Sequence, residues 1–248
     1  MVKLGSIFDD YQIIIYYDKS TDNTLEILKE YQKTNPKMMF YVNKNSVSKF
    51  RTHNLAIARN FCLNFVRQNF VKFPYFIMMD CDDVNCKEVN TDILKKYIYR
   101  RDWDGLSFNT SPKYYDIWAL SIYPFCFSYN HFNNNDKYYN IIQNFIDGLL
   151  KQALKENKLL ECISSFNGFS IYRTNKFLNT YYDGKIRLDI IPTTNLNAHK
   201  NVTKSNLVYK KYITVDGRYE DCEHRPFHIQ AIQNSKARIM ISPEILFS

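Results

Sequence analysis

Chain-breaking residues are scarce: the 248 residues include six Gly and seven Pro, too few for a collagen-like or low-complexity chain. No apolar run approaches the roughly 20 residues that a membrane span needs. The opening Met1-Val2-Lys3-Leu4-Gly5 lacks the apolar stretch of a secretion signal, so the expected location is the cytoplasm. Six Cys are scattered, and only Cys81 and Cys86 lie close, with no second pair at zinc-finger spacing. Reduced and mostly buried thiols are therefore expected. Basic runs and nucleic-acid-binding motifs are also missing, although the net charge is +8. Dispersed positive charge suits nucleotide-sized anions better than long polyanions, so no nucleic-acid partner is expected. Apolar and aromatic residues, by contrast, make up 45% and 16% of the chain. That is enough to bury a substantial core, read here as a single domain over 1–248.

One stretch organises the rest. Tyr75-Phe76-Ile77-Met78-Met79 is continuously apolar and runs straight into Asp80-Cys81-Asp82-Asp83, the pattern of a buried strand emerging at a sheet edge. Three carboxylates within four positions repel one another unless a cation neutralises them. In an extended segment Asp80 and Asp82 project to one side, and their oxygens suit Mg²⁺ or Mn²⁺ with phosphate oxygens as further ligands. A turn or helix cap built from Asp accounts for the same cluster equally well.

The first 85 residues alternate strand and helix. Ile13–Tyr17 reads as a strand, followed by the turn and cap formers of Asp18-Lys19-Ser20-Thr21-Asp22-Asn23-Thr24 and a helix carrying Leu25, Leu28 and Tyr31. Met38–Val42 reads as a second strand. Arg51 to Arg67 then reads as a helix with Leu55, Ala58, Cys62, Phe65 and Val66 on its apolar face. Arg59 lies within that helix, either snorkelling to solvent or reaching an anion. Strand alternating with helix predicts an α/β fold with a mostly parallel, Rossmann-like sheet flanked by helices. Asp18, at the end of the first strand, can accept a hydrogen bond from a base or ribose.

Further along, Trp103 to Phe108 predicts another strand, and Tyr114-Tyr115-Asp116-Ile117-Trp118 brackets an acid with aromatics, a composition suited to sugars. Trp118 is equally well explained as a core residue. Asn130 to Asp136 reads as a surface loop and Tyr138 to Leu154 as an amphipathic helix with Ile141, Ile142, Phe145, Leu149 and Leu150 on its apolar side. Gly168 sits in a turn entering a strand and would permit close backbone approach, and a simple hairpin turn explains it equally well. Tyr219-Glu220-Asp221-Cys222-Glu223-His224-Arg225-Pro226-Phe227-His228 concentrates titratable groups to a degree that argues against a hydrophobic core element. Glu220, Asp221 and Glu223 are its acids, and a solvated charged loop with one packed His is the plain alternative. Arg238 to Ile241 predicts a last short strand.

The order of these signals resembles the glycosyltransferases of the GT-A fold. The Tyr17–Thr24 turn is similar to their Asp-Asp-Gly-Ser-Thr-Asp turn, Ala58-Arg59-Asn60 to their Ala-Arg-Asn helix, and Asp80-Cys81-Asp82-Asp83 to their Asp-x-Asp motif. The Tyr-Asp-x-Trp-Ala string resembles a segment of capsular mannosyltransferase-like and giant-virus enzymes, which hints at a viral origin and a host-cytoplasm or virus-factory setting. The resemblance implies a nucleotide-sugar donor, a glycan or protein-linked hydroxyl acceptor, and Mn²⁺ or Mg²⁺ as cofactor. Asp18 would lie near the nucleoside, Arg59 near the donor or its diphosphate, and Trp118 and Gly168 near the donor. Asp80 would contact ribose or metal, Asp82 would be a direct metal ligand, and His224 or His228 would complete the coordination. Among the acids near the end, the likeness favours Asp221 or Glu223 over Glu220 as base. It divides the domain into a donor and metal half at 1–110 and an acceptor half at 111–248. The strand that normally opens such domains has no counterpart ahead of Ile13, which points to a truncated chain or to another segment in its place. A haloacid dehalogenase-like phosphatase, with Asp80 as nucleophile and Asp82 as general acid, and a degenerate sugar-binding protein are the alternatives.

Overall fold

The computed structural model describes residues 1–45, 48–81, 83–127, 135–204 and 220–248. Asp82 and the Asn-rich stretch 130–134 lie outside the described residues. The elements run α1 (Val2–Gly5), β1 (Ile13–Tyr17), α2 (Thr24–Thr34), β2 (Met38–Val42), α3 (Arg51–Gln68), β3 (Tyr75–Met79) and α4 (Thr91–Ile98). They continue with β4 (Gly105–Asn109), α5 (Asn135–Glu156), β5 (Leu160–Cys162), β6 (Phe169–Arg173), α6 (Thr193–Thr203), α7 (His224–Ser235) and β7 (Ile239–Ile245).

The strands form a parallel pair, β1–β2, and a five-stranded sheet ordered β3-β6-β4-β7-β5. This is the helix-flanked α/β architecture that the alternation predicts. The pairing is more mixed than the first 85 residues suggest: among the described strands β4–β7 is the parallel pair of the larger sheet, and β3–β6, β4–β6 and β5–β7 are antiparallel. The parallel expectation rested on strand–helix alternation, which lapses after β4, where the chain returns through β6.

Side chains alternate across a strand, and β3 shows the consequence. Phe76 and Met78 enter a core with Leu63 of α3, Ile146 and Leu150 of α5 and Phe227 of α7. Tyr75, Ile77 and Met79 face the opposite core, built on Leu94 and Tyr97 of α4, Trp103, Leu106 and Phe169. With both faces covered, β3 is continuously apolar rather than alternating. Its last residue delivers Asp80 to the sheet's rim, where the Asp80 N–H donates to Gly168 O (2.9 Å).

Two helices sit differently from their predicted faces. In α3 the buried residues are Thr52, His53, Ala56, Arg59 and Leu63, and Leu55, Ala58, Cys62, Phe65 and Val66 are half-buried beside them. The helix is turned toward its polar residues because those residues find partners inside. In α5 the buried positions include Ile142, Gln143, Ile146, Leu150 and Ala153, and Ile141 is exposed. Cys126, Cys162 and Cys222 are buried as free thiols, whereas Cys81 and Cys86 are exposed. Among the described residues no helix is long and apolar enough to cross a membrane.

The segment from His224 corrects a sequence expectation. It is a helix, and His224 through Ala231 are all buried. A run containing His, Arg, His and Gln can enter a core because those residues are hydrogen-bonded there. Their partners include Arg59 of α3, Tyr172 of β6 and the Ser164 and Leu120 positions, all remote in sequence, which a linear pattern cannot display.

Candidate active site

Arg59 is the hub. The residue is 6% exposed; its guanidinium donates from Nη1 to Glu223 Oε1 and His224 Nε2 and from Nη2 to Asp80 Oδ1 at 2.6 Å. The flat cation lies over the Phe166 ring at 4.6 Å from its centroid. Helix α3, the end of β3 and the start of α7 thus meet at one residue. A buried guanidinium is retained because two carboxylates offset its desolvation. Asn60, the next residue of the Ala-Arg-Asn motif, secures the wall of the site. Its amide exchanges two hydrogen bonds with the Tyr182 backbone, 2.9 Å to N and 2.8 Å to O. The Tyr182 ring stacks on Phe227 at 4.0 Å and meets His224 edge-on at 5.3 Å.

Each acid of the 220–223 cluster has a distinct setting. Glu220 Oε1 accepts the Thr52 N–H at 2.9 Å, so this carboxylate caps the first turn of α3, where exposed N–H groups favour an anion. Asp221 is 1% exposed, accepting from Cys222 N at 2.8 Å and Arg225 Nε at 3.0 Å. Arg225 in turn donates to the Trp118 O at 2.6 Å, the Leu120 O at 3.2 Å, the Cys126 O at 2.6 Å and Ser121 Oγ. Asp221 and Arg225 therefore form a buried clamp on the 118–126 loop. Glu223 alone of the three joins the Arg59 cluster. Burial raises its proton affinity above the usual carboxylate range, and the Arg59 charge partly offsets that shift.

The two histidines also part company. His228 engages Ser164 Oγ from Nδ1 and Tyr172 OH from Nε2, both at 3.0 Å. With both ring nitrogens occupied no lone pair is left for a cation, so the expectation of a metal ligand at His228 is corrected to a core residue. Burial holds it neutral, with its pKa pushed down to about 3. His224 stacks on Phe166 at 3.7 Å, and burial followed by the nearby Arg59 keeps its pKa well below the ordinary value. Since a guanidinium only donates, Nε2 is its acceptor and Nδ1 carries the proton. That Nδ1 is buried with no hydrogen-bond partner among the described residues. Metal ligation through His224 Nε2 would first require Arg59 to withdraw.

Asp18 stands apart from this cluster, accepting from Asn43 Nδ2 at 2.9 Å, so the rims of β1 and β2 are tied together there. Gly168 adopts φ +80°, a conformation that favours glycine. Its carbonyl accepts from both Asp80 N (2.9 Å) and Asn85 Nδ2 (2.8 Å), so it holds the acidic corner through backbone contacts. Trp118 packs against the main core and is half-buried.

Mn²⁺ or Mg²⁺ calls for several oxygen ligands. Asp80 fits, since its side chain retains 26% exposure at the rim. Among the described residues no group of three or more His, Cys, Asp or Glu is arranged to hold a metal. The described residues thus supply one suitable carboxylate and not a full ligand set.

Phe166, Tyr182 and Gly184 escaped the sequence reading. The Gly184 carbonyl accepts from Thr52 Oγ1 and from Asp221 N, each at 2.9 Å, and a Cβ there would lie 2.4 Å from the Thr52 carbonyl. No local pattern marks these positions; they matter because distant segments converge on them.

No curated protein matches the chain. Residues 4–116, which carry Asp18, Arg59 and Asp80, match the family model described as Glycosyl transferase family 2.

Proposed function

We propose that this protein is a divalent-metal-dependent glycosyltransferase that moves a sugar from a nucleotide-sugar donor to a hydroxyl of a glycan or protein-linked acceptor. The observation that carries this reading is the contact of Arg59 with both Asp80 and Glu223. It joins the acidic end of β3, within the matched region, to an acid 164 residues further on from Arg59. The match to residues 4–116 supports glycosyl transfer as the reaction class.

In this reading Asp80 marks the donor end and Glu223 the acceptor end. A bound Mn²⁺ or Mg²⁺, with Asp80 among its ligands, would supply positive charge to the departing nucleoside diphosphate. Arg59 adds a fixed cation beside the same corner, where developing negative charge is stabilised without reorganisation. Glu223 takes the proton of the attacking hydroxyl in an inverting reaction. Its burial favours that role by raising its proton affinity. Asp221 and Glu220 act at one remove, the first holding the 118–126 loop and the second the start of α3.

The test is a screen of nucleotide sugars for Mn²⁺-dependent donor hydrolysis and transfer, repeated with Glu223→Gln. The variant is expected to keep donor binding and lose transfer. Transfer at the wild-type rate would remove Glu223 from the mechanism.

A further inference from the structure

A cleft of about 440 Å³ opens between the end of β5, the start of α6 and the second half of α7, and the Arg59 cluster makes no use of it. Tyr123, Glu161, Asn195, Ile229, Ile232 and Gln233 are among the residues that line it. Glu223 stands just ahead of α7, whereas Ile229, Ile232 and Gln233 lie about 9–15 Å further along the helix axis at 1.5 Å per residue. The helical turn puts these three on the flank away from Phe227, whose ring stacks on Tyr182. The cleft is therefore a second place on the chain, separate from the proposed reaction centre.

Tyr123 is 69% exposed, yet its backbone is fixed. With Pro124 it forms the tip of a tight turn, closed by Ile122 N–H to Phe125 O (2.8 Å) and Phe125 N–H to Ile122 O (2.6 Å). Ser121, just ahead of the turn, accepts the Ile163 N–H and donates its own to Ser164 O, both at 2.8 Å. Arg225, held by Asp221, grips Ser121 Oγ on one side of the turn and the Cys126 carbonyl on the other. A ring carried into solvent by so rigid a turn, beside a cleft, is a preorganised platform for a ligand.

The lining chemistry selects that ligand. Asn195 accepts from Thr194 Oγ1 through Oδ1 (3.2 Å), and Gln233 donates through Nε2 to Ile190 O (2.8 Å). Glu161 is engaged through its backbone, opposite Met240 of β7. Among the described residues this leaves Asn195 Nδ2 as a donor, with Gln233 Oε1 and the Glu161 carboxylate as acceptors. Hydroxyls both donate and accept, and the C–H face of a sugar packs on an aromatic ring, so the set matches a carbohydrate. No Lys, Arg or His lines the cleft, which disfavours phosphates and other anions even on a chain of net charge +8.

We propose that this cleft is a glycan-binding site that holds the acceptor by sugar units remote from the reacting hydroxyl. Its occupant being the acceptor rests on the glycosyltransferase reading; its being a neutral sugar rests on the cleft itself.

Calorimetric titration of the full chain, without donor, tests this with mannohexaose, maltohexaose and chitohexaose as probes. Wild type, Tyr123→Ala and Glu161→Gln are compared, and thermal melting checks their fold. Wild type is expected to bind at least one probe. Tyr123→Ala should lose about tenfold of that affinity, the scale of one aromatic contact. Glu161→Gln should lose about threefold to tenfold, as for a hydrogen bond to a charged group in an open cleft. Mn²⁺-dependent hydrolysis of a nucleotide sugar should stay at the wild-type rate in both variants. A wild type that binds no probe overturns the proposal, as does affinity kept by both folded variants. Hydrolysis that falls in step with probe affinity overturns a site separate from the reaction centre. A wild type that binds a probe through Tyr123 but cleaves no nucleotide sugar keeps the glycan site and defeats the acceptor assignment with the glycosyltransferase reading.

Discussion

Arg59 Nη2 lies 2.6 Å from Asp80 Oδ1, tying the middle of α3 to the end of β3. The same guanidinium reaches Glu223 at the start of α7. Removing the cation leaves two acids facing each other at a site where one of them is almost fully enclosed. Arg59→Met is expected to cost about 3–5 kcal/mol of stability, the range for breaking a buried ion pair. Chemical denaturation measures this directly. A loss below about 1 kcal/mol would show that the contact is not formed in solution.

Asp221 and Glu223 are two positions apart, yet substitutions there should fail in different ways. Asp221→Asn removes the partner of a buried Arg225 and should lower stability by about 3–5 kcal/mol, loosening the 118–126 loop. Glu223→Gln should abolish transfer while donor affinity stays within a few-fold. Denaturation midpoints alongside steady-state kinetics separate the two. Equal stability losses with equal activity losses would contradict the division of roles.

The buried neutral His228 makes the fold sensitive to acid. Its pKa is pushed down to about 3 in the folded chain, against about 6.5 for a free imidazole. Between these values the unfolded chain binds the extra proton and the folded chain does not. Stability contributed by the neutral ring is thus complete above about pH 6.5 and declines as pH falls, by up to about 1.4 kcal/mol per pH unit for one proton. Denaturation from pH 7 to pH 4 should show this slope. His228→Gln should be less stable at pH 7 and show a shallower decline.

Gly184 is a close-packed junction, since a Cβ added there would lie 2.4 Å from the Thr52 carbonyl. Gly184→Ala must push α3 away from the 220–223 segment and is expected to cost about 1–3 kcal/mol, as overpacking does. It should also weaken activity, because Arg59 and Glu223 sit on the two elements forced apart. A variant with wild-type melting and kinetics would contradict this packing.

Much of the framework is legible in the sequence because it is written locally. The apolar runs at 13–17, 38–42 and 75–79 become strands with those bounds, and Asp80 emerges at the rim as the abrupt change from apolar to acidic predicts. Arg59 illustrates the limit. Its position inside a helix leaves snorkelling and anion binding equally open, and only the fold supplies Asp80 and Glu223 as partners. The 224–231 segment defeats the linear reading outright. Its polar residues are satisfied by Ser164, Tyr172, Leu120 and Arg59, all distant in sequence. Asp116 is visible in sequence as an acid among aromatics, but its backbone tie to Asn167, the neighbour of Gly168, comes from the fold.

Metal-dependent donor cleavage compared between wild type and Asp80→Asn tests the central claim most directly. Each nucleotide sugar of a panel is incubated with Mn²⁺, with Mg²⁺ and with chelator, and release of the nucleoside diphosphate is followed. The expected result is one preferred donor, cleaved by wild type only with metal and lost by at least a hundredfold in Asp80→Asn at a temperature where thermal melting shows the variant folded. Equal cleavage by the variant, or turnover of generic phosphate esters with no nucleotide sugar consumed, would contradict a donor site at Asp80.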